Sequence, residues 1–232
     1  MTEYFANIYE IFCSFQGEGI YLGQPQIFVR FSGCNLGCSY CDTPKTRQIN
    51  EGKKHSVGQA FEKIISLKKS KLKPEVVSFT GGEPMLHASF ITALAPMLKK
   101  SGFKIYLETN GTMPNDYQKI KKYVDVVAMD IKLPSACGKK LWQEHKLFLK
   151  SAGNKAFVKI VLENVTTKSE FLKAILLVGS VSKNIPVVLQ PVTSIKNKKI
   201  DLKMLWEFYS LANSKLKNVR IVEQMHKYWS VR

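Results

Sequence analysis

The chain has 232 residues, with 35 Lys plus Arg against 18 Asp plus Glu, a formal charge of +17, 45% hydrophobic and 23% charged residues. That much apolar material supports a packed core and excludes a disordered chain in spite of the charge. No apolar run approaches the roughly 18–20 residues of a membrane-spanning helix, and the N-terminal Met1-Thr2-Glu3-Tyr4 lacks the basic and apolar regions of a signal peptide, so a single cytoplasmic domain over residues 1–232 is expected.

The positive charge invites a polyanion partner. Only four basic residues are arginines (Arg30, Arg47, Arg220 and Arg232), and the lysines are scattered in short groups such as Lys53-Lys54 and Lys121-Lys122. Phosphate and base recognition leans on the arginine fork. Lysine-rich solvated surface is therefore the first reading, with an RNA-binding or RNA-modifying protein as the weaker alternative.

In chain order, residues 4–13 read as a strand leading into Phe15-Gln16-Gly17-Glu18-Gly19. Residues 26–31 form the next strand, with Arg30 near its end. The segment 31–43 follows, Phe-Ser-Gly-Cys34-Asn-Leu-Gly-Cys38-Ser-Tyr40-Cys41-Asp42-Thr43, placing three of the five cysteines within eight residues. An odd cysteine count in a cytosolic chain argues for metal binding over disulfides. Three thiolates are one short of a closed zinc site, for which Cys13, His55 or Cys137 would have to supply the fourth ligand. An iron-sulfur cube held by three cysteines would instead leave one iron open to a ligand.

Residues 57–67 have helical apolar spacing at Val57, Phe61, Ile64, Ile65 and Leu67. Further strands are expected at 76–80, 104–107, 124–129, 157–162, 187–190 and 219–222, with helices at 90–98, 142–148, 171–177 and 202–211. This alternation predicts a parallel α/β sheet. A closed eight-fold βα barrel usually needs about 250 residues, so a partial, open, TIM-like barrel of about six βα units is expected. Its rim of C-terminal strand ends would carry the cysteine loop, Gly81-Gly82-Glu83-Pro84, Glu108-Thr109-Asn110-Gly111, Asp130-Ile131-Lys132 and Gln190-Pro191-Val192-Thr193.

The C-x3-C-x-aromatic-C spacing, with Tyr40 as the aromatic, followed by a strand and Gly81-Gly82-Glu83-Pro84, resembles the radical S-adenosylmethionine (SAM) superfamily. Gln16-Gly17-Glu18-Gly19, Phe28-Val29-Arg30, Cys41-Asp42-Thr43 and Gln224-Met225-His226-Lys227-Tyr228 extend the resemblance, from Glu10 to Arg232, to the 7-carboxy-7-deazaguanine synthase family. That resemblance implies a carbon-nitrogen lyase of queuosine and 7-deazapurine biosynthesis, turning 6-carboxy-5,6,7,8-tetrahydropterin into 7-carboxy-7-deazaguanine with loss of ammonia. It implies a 4Fe-4S cluster on Cys34, Cys38 and Cys41, with SAM against Tyr40, Cys41, Asp42, Gly82, Asp130, Ile131, Lys132, Gln190, Pro191, Val192 and Thr193. The pterin would meet Phe15, Gln16, Gly17, Arg30, Thr80 and Arg232, Mg2+ would sit on Thr43, and the enzyme would be a homodimer served by an external electron donor.

Other roles stay open for several of these residues. Arg30 could pair with Glu18, Thr43 could cap a turn, and Glu108 and His226 could be structural. Cys13 and Cys137 read as packed thiols, and Tyr228 and Trp229 as packing aromatics. Asp130-Ile131 departs from the Ser-Pro of many relatives, which points to backbone contacts there, and the long segment 133–153 carries no assigned role. An activating enzyme for a glycyl-radical partner is the alternative that shares the cysteine loop.

Overall fold

The computed structural model describes residues 3–193 and 200–229. Among the described residues nine strands build one mixed sheet: β1 (Phe5–Phe15), β2 (Pro25–Phe31), β3 (Lys53–Ser56), β4 (Val76–Gly81), β5 (Lys104–Thr109), β6 (Val126–Asp130), β7 (Ala156–Leu162), β8 (Val187–Pro191) and β9 (Val219–Ile221). Their order is β3-β1-β2-β4-β5-β6-β7-β8-β9. β1 runs antiparallel to β2 and β3, and the strands from β2 through β9 along that order are parallel. β3 and β9 are the two edges, so the barrel is open.

The helices are α1 (Val57–Lys68), α2 (Ala88–Lys100), α3 (Pro114–Ile120), α4 (Pro134–Cys137), α5 (Trp142–Ala152), α6 (Lys168–Val181), α7 (Leu202–Asn213) and α8 (Met225–Trp229). Among the described residues, each of the six steps from one parallel strand to the next carries a helix, which gives the six βα units anticipated from length. Ser56 with Gln59, and Thr167 with Glu170, form reciprocal capping boxes that start α1 and α6.

Strand alternation divides the sheet into two faces. Val77, Phe79, Ile105, Leu107, Val127, Met129, Val158, Ile160, Val187 and Leu189 point to the helices and form the main core. On the concave face Val76, Tyr106, Ala128, Phe157 and Val188 make a small apolar floor. Toward the C-terminal strand ends the same face turns polar, at Arg30, Thr80, Glu108, Asp130, Lys159 and Gln190. The loop after β1 plugs the floor with Ile20 and Tyr21, the Tyr21 ring lying edge-on to Tyr106 at 5.7 Å. Gly19 makes that turn at φ +70°, where a Cβ would lie 2.7 Å from the Phe157 ring.

Several boundaries differ from expectation. β1 continues two residues, to Phe15, because it pairs with β2 as far as Pro25. β3 was not anticipated: Lys53-Lys54-His55-Ser56 has no apolar alternation and owes its form to pairing with β1. β6 starts at Val126, because the Asp125 carboxylate accepts the Ile105 N–H at 2.7 Å and the Lys99 ammonium at 2.8 Å just before it. The seven-residue α3 is too short for a readable period. The segment 133–153 contains α4 and α5, the crossover from β6 to β7.

Candidate active site

The cysteine loop leaves β2 and is clamped by backbone bonds on both sides. Glu83 N–H donates to Gly33 O at 2.7 Å, Gly33 N–H to Thr46 O at 2.8 Å, and Cys34 N–H to Arg47 O at 3.0 Å. The Arg47 guanidinium returns to the Cys38 carbonyl. α4 braces the far end, where Ser39 N–H donates to Ala136 O at 2.9 Å. The Asn110 side-chain amide donates to Asn35 Oδ1 at 2.8 Å, tying the loop to the end of β5.

A Cβ at Gly82 would sit 2.0 Å from Gly33 O, so glycine is required there by backbone-to-backbone packing against the cysteine loop. Glu83 locks the same corner. Its carboxylate accepts from Met85 N–H at 3.0 Å, Thr109 hydroxyl at 2.7 Å and Asn110 N–H at 2.7 Å, while burial pushes its pKa up to about 7 against those bonds.

Burial raises the pKa of Cys34 and pushes Cys38 up to about 11, and within the trio Cys41 adds to the shift of Cys34 and Cys34 to that of Cys38. Among the described residues, the one trio of metal-ligating atoms within 4.8 Å is Glu18, Asp42 and His226. Three thiols on one loop suit a polynuclear group that keeps one metal open to a further ligand. His55 lies on β3, with Nδ1 2.9 Å from Lys53 O, and the Cys13 thiol is 3.6 Å from the Ser70 hydroxyl. Cys137 ends α4, its thiol 3.5 Å from Lys139 O.

Beside the loop, the mouth of the concave face holds a dense polar set. Gln16 Nε2 donates to Glu108 Oε1 at 2.7 Å, and the Thr80 hydroxyl to Glu108 Oε2 at 2.7 Å. Arg30, opposite Thr80 in register, donates through Nε to Glu10 at 2.8 Å and lies over Phe12. Its expected ion-pair alternative was Glu18. The antiparallel register of β1 and β2 puts Glu10 opposite Arg30 instead, and Glu18 pairs with Lys159. Gln224 Nε2 donates to Glu18 Oε1 at 2.8 Å and Asp42 Oδ2 at 3.2 Å. His226 Nε2 stands 3.6 Å from Asp42, and a Cβ on Gly17 would meet His226 Cβ at 2.6 Å. Burial opposes ionisation of Asp42, but His226, Lys227 and Lys159 outweigh it and hold this carboxyl below the usual range.

The SAM-associated positions from the sequence fall along the same rim. Lys132 Nζ lies 2.8 Å from Asp130 Oδ2 and 5.2 Å from the Tyr40 ring centre. Ile131 turns its side chain into the main core and donates its N–H to Lys159 O at 3.0 Å. Gln190 is buried, and its Oε1 has no hydrogen-bond partner among the described residues, an acceptor a bound ligand could satisfy. Val192 N–H donates to Leu162 O at 3.0 Å, and Thr193 O accepts from Lys227 at 3.1 Å. Thr43 opens the 3-10 turn Pro44–Arg47 with no capping bond from its hydroxyl, its carbonyl accepting from Thr46 instead. Phe15 ends β1 opposite Pro25. Arg232 lies outside the described residues.

The family model of the radical SAM superfamily matches residues 28–175. A 7-carboxy-7-deazaguanine synthase of Geobacter sulfurreducens is 35% identical, covering 96% of this chain and 96% of its own. One from Archaeoglobus fulgidus is 38% identical over 98% and 99%. The chain belongs to the 7-carboxy-7-deazaguanine synthase family of radical SAM enzymes. The crystal structure of QueE from Escherichia coli superposes with a TM-score of 0.68 at 24% identity, covering 96% and 95% of the two chains, which shows the shared fold. The synthase family thus accounts for the open barrel and the cysteine loop together.

Some site residues escaped the sequence reading. Arg47, which clamps the loop at the Cys38 carbonyl, had no local signature, and Glu83 stood in the Gly81-Gly82-Glu83-Pro84 motif without its bonds to Thr109 and Asn110 being readable there. Lys159 had one: it is the lone ionisable residue in the all-buried run Ala156–Leu162.

Proposed function

We propose that this enzyme converts 6-carboxy-5,6,7,8-tetrahydropterin to 7-carboxy-7-deazaguanine with loss of ammonia, as a cytoplasmic homodimer reduced by an external electron donor. The observation that carries the reading is the polar mouth beside the cysteine loop, in a chain that matches synthases of this name end to end. A carboxylated pterin offers an alternating donor and acceptor edge and one anionic group. The Gln16, Glu108 and Thr80 set suits the edge, and Arg30 the carboxylate.

Cys34, Cys38 and Cys41 would hold a 4Fe-4S cluster, which with bound SAM supplies one-electron chemistry that yields a 5′-deoxyadenosyl radical. The chain's own part is positional. Gly82 and the segments 130–132 and 190–193 would seat SAM, with Tyr40, Cys41 and Asp42, while Phe15, Gln16, Gly17 and the Arg232 end would enclose the pterin. The apolar floor closes the inner end against water. For Mg2+, the Glu18 and Asp42 carboxylates lie within 4.8 Å of each other and of a His226 nitrogen, with Thr43 next to Asp42 in the chain, and oxygen donors suit a hard ion retaining waters. Among the described residues no helix is long and apolar enough to cross a membrane.

Anaerobically reconstituted enzyme given dithionite, SAM, Mg2+ and the pterin should form the deazaguanine product, detected by its ultraviolet spectrum and mass. Sustained reductive SAM cleavage with no pterin turnover would overturn the substrate assignment.

A further inference from the structure

Lys159 stands between the two ligand segments and belongs to neither. Its side chain is 7% exposed, in a strand whose seven residues are all buried. An ammonium in such a place costs several kcal/mol unless it is well paired. Here it bonds Glu18 Oε2 and lies 3.5 Å from Asp130 Oδ1. Burial disfavours the charge, but Asp130, Glu18 and Glu108 outweigh it and hold Lys159 as an ammonium well above the ordinary lysine range.

The two carboxylates lead to different places. Glu18 belongs to the front loop, its N–H donating to Gln16 Oε1 at 3.1 Å, and Gln16 continues to Glu108 and Thr80. Asp130 opens the 130–132 segment and pairs with Lys132 at 2.8 Å. Each carboxylate also has a second partner, Gln224 for Glu18 and Lys132 for Asp130. Removing the Lys159 ammonium leaves neither carboxylate without a bond; it severs their shared link.

We infer that Lys159 is a positioning residue that couples the SAM segment to the pterin loop, an inference resting on the substrate reading above. One ammonium shared by two carboxylates cannot follow one of them without changing its distance to the other. A ligand that draws Glu18 toward the pterin therefore resets Asp130, and SAM bound at 130–132 resets Glu18. Such coupling is a free energy and is reciprocal. Its use is to align SAM for cleavage when the pterin is seated.

The test compares wild type, Lys159→Met and Lys159→Arg as cluster-loaded enzymes, with circular dichroism and thermal unfolding as fold controls. Equilibrium SAM binding is measured with and without saturating pterin, alongside the ratio of 5′-deoxyadenosine to deazaguanine formed. Wild type should bind SAM about tenfold tighter with pterin present, within the usual range of coupling. Lys159→Met should bind each ligand but lose that enhancement and release several-fold more 5′-deoxyadenosine per product, and Lys159→Arg should recover part of both. If the Met variant does not fold, Lys159→Gln replaces it. Undiminished enhancement in the folded neutral variant, or wild type binding both ligands without enhancement, would overturn the inference. Wild type binding SAM but no pterin would sink the substrate assignment, and this inference with it.

Discussion

The floor and the mouth of the concave face come from the same strands, often two residues apart. Tyr106 lies in the floor and Glu108 in the mouth; Ala128 precedes Asp130, and Phe157 precedes Lys159. Alternation fixes which face a side chain takes, and distance along the strand then decides whether it packs or reacts. The floor holds the barrel in shape, and the mouth carries buried charges that would cost stability were they not paired with one another.

This division can be broken from either side. The largest effect should follow Cys34→Ala at the rim: iron loading falls and SAM cleavage drops to background, while urea unfolding of the cluster-free protein stays near wild type. A matching loss of stability would mean that mouth and floor are not separable. In the floor, Phe157→Ala removes a ring packed on Tyr106 and Tyr21 and should cost about 3–5 kcal/mol in urea unfolding. A loss below about 1 kcal/mol would show that the floor does not hold the barrel.

Beneath the β5 rim, His145 is fully buried, with Nε2 3.0 Å from Asn110 O, and burial holds its pKa down at about 4. An unfolded histidine titrates near 6.5. The unfolded chain thus binds the proton first, so the stability this group contributes is complete above pH 6.5 and is lost as pH falls toward 4, by roughly 3 kcal/mol in all. His145→Gln should flatten that slope in urea titrations at pH 4–7; an unchanged slope would place the acid sensitivity elsewhere. The smallest effect is expected at Arg30→Lys, which should weaken pterin binding about tenfold and leave SAM binding unchanged, because lysine lacks the planar fork. Equal losses for both ligands would give Arg30 a scaffold role.

Much of the barrel was readable because its parallel strands are short apolar runs between amphipathic segments, and three cysteines fall within one loop. The pairings in the mouth were not. Glu18 meets Lys159 across 141 residues and Gln224 across 206, separations that no local pattern reports. The partner of Arg30 depended on the register of β1 against β2, which a shift of a few residues would change. Gly82 stood in the Gly81-Gly82-Glu83-Pro84 motif, but the need for glycine there, contact with Gly33 O, required the folded loop.

The open sheet leaves two edges, and an unpaired edge is a template on which a second chain can add a strand. Both are short: β9 has three residues and β3 four. β3 also carries exposed Lys53 and Lys54, the latter with its ammonium 4.3 Å from the Phe5 ring centre. Two copies approaching edge to edge would bring four ammonium groups together. Part of the excess positive charge thus disfavours strand addition at the β3 edge.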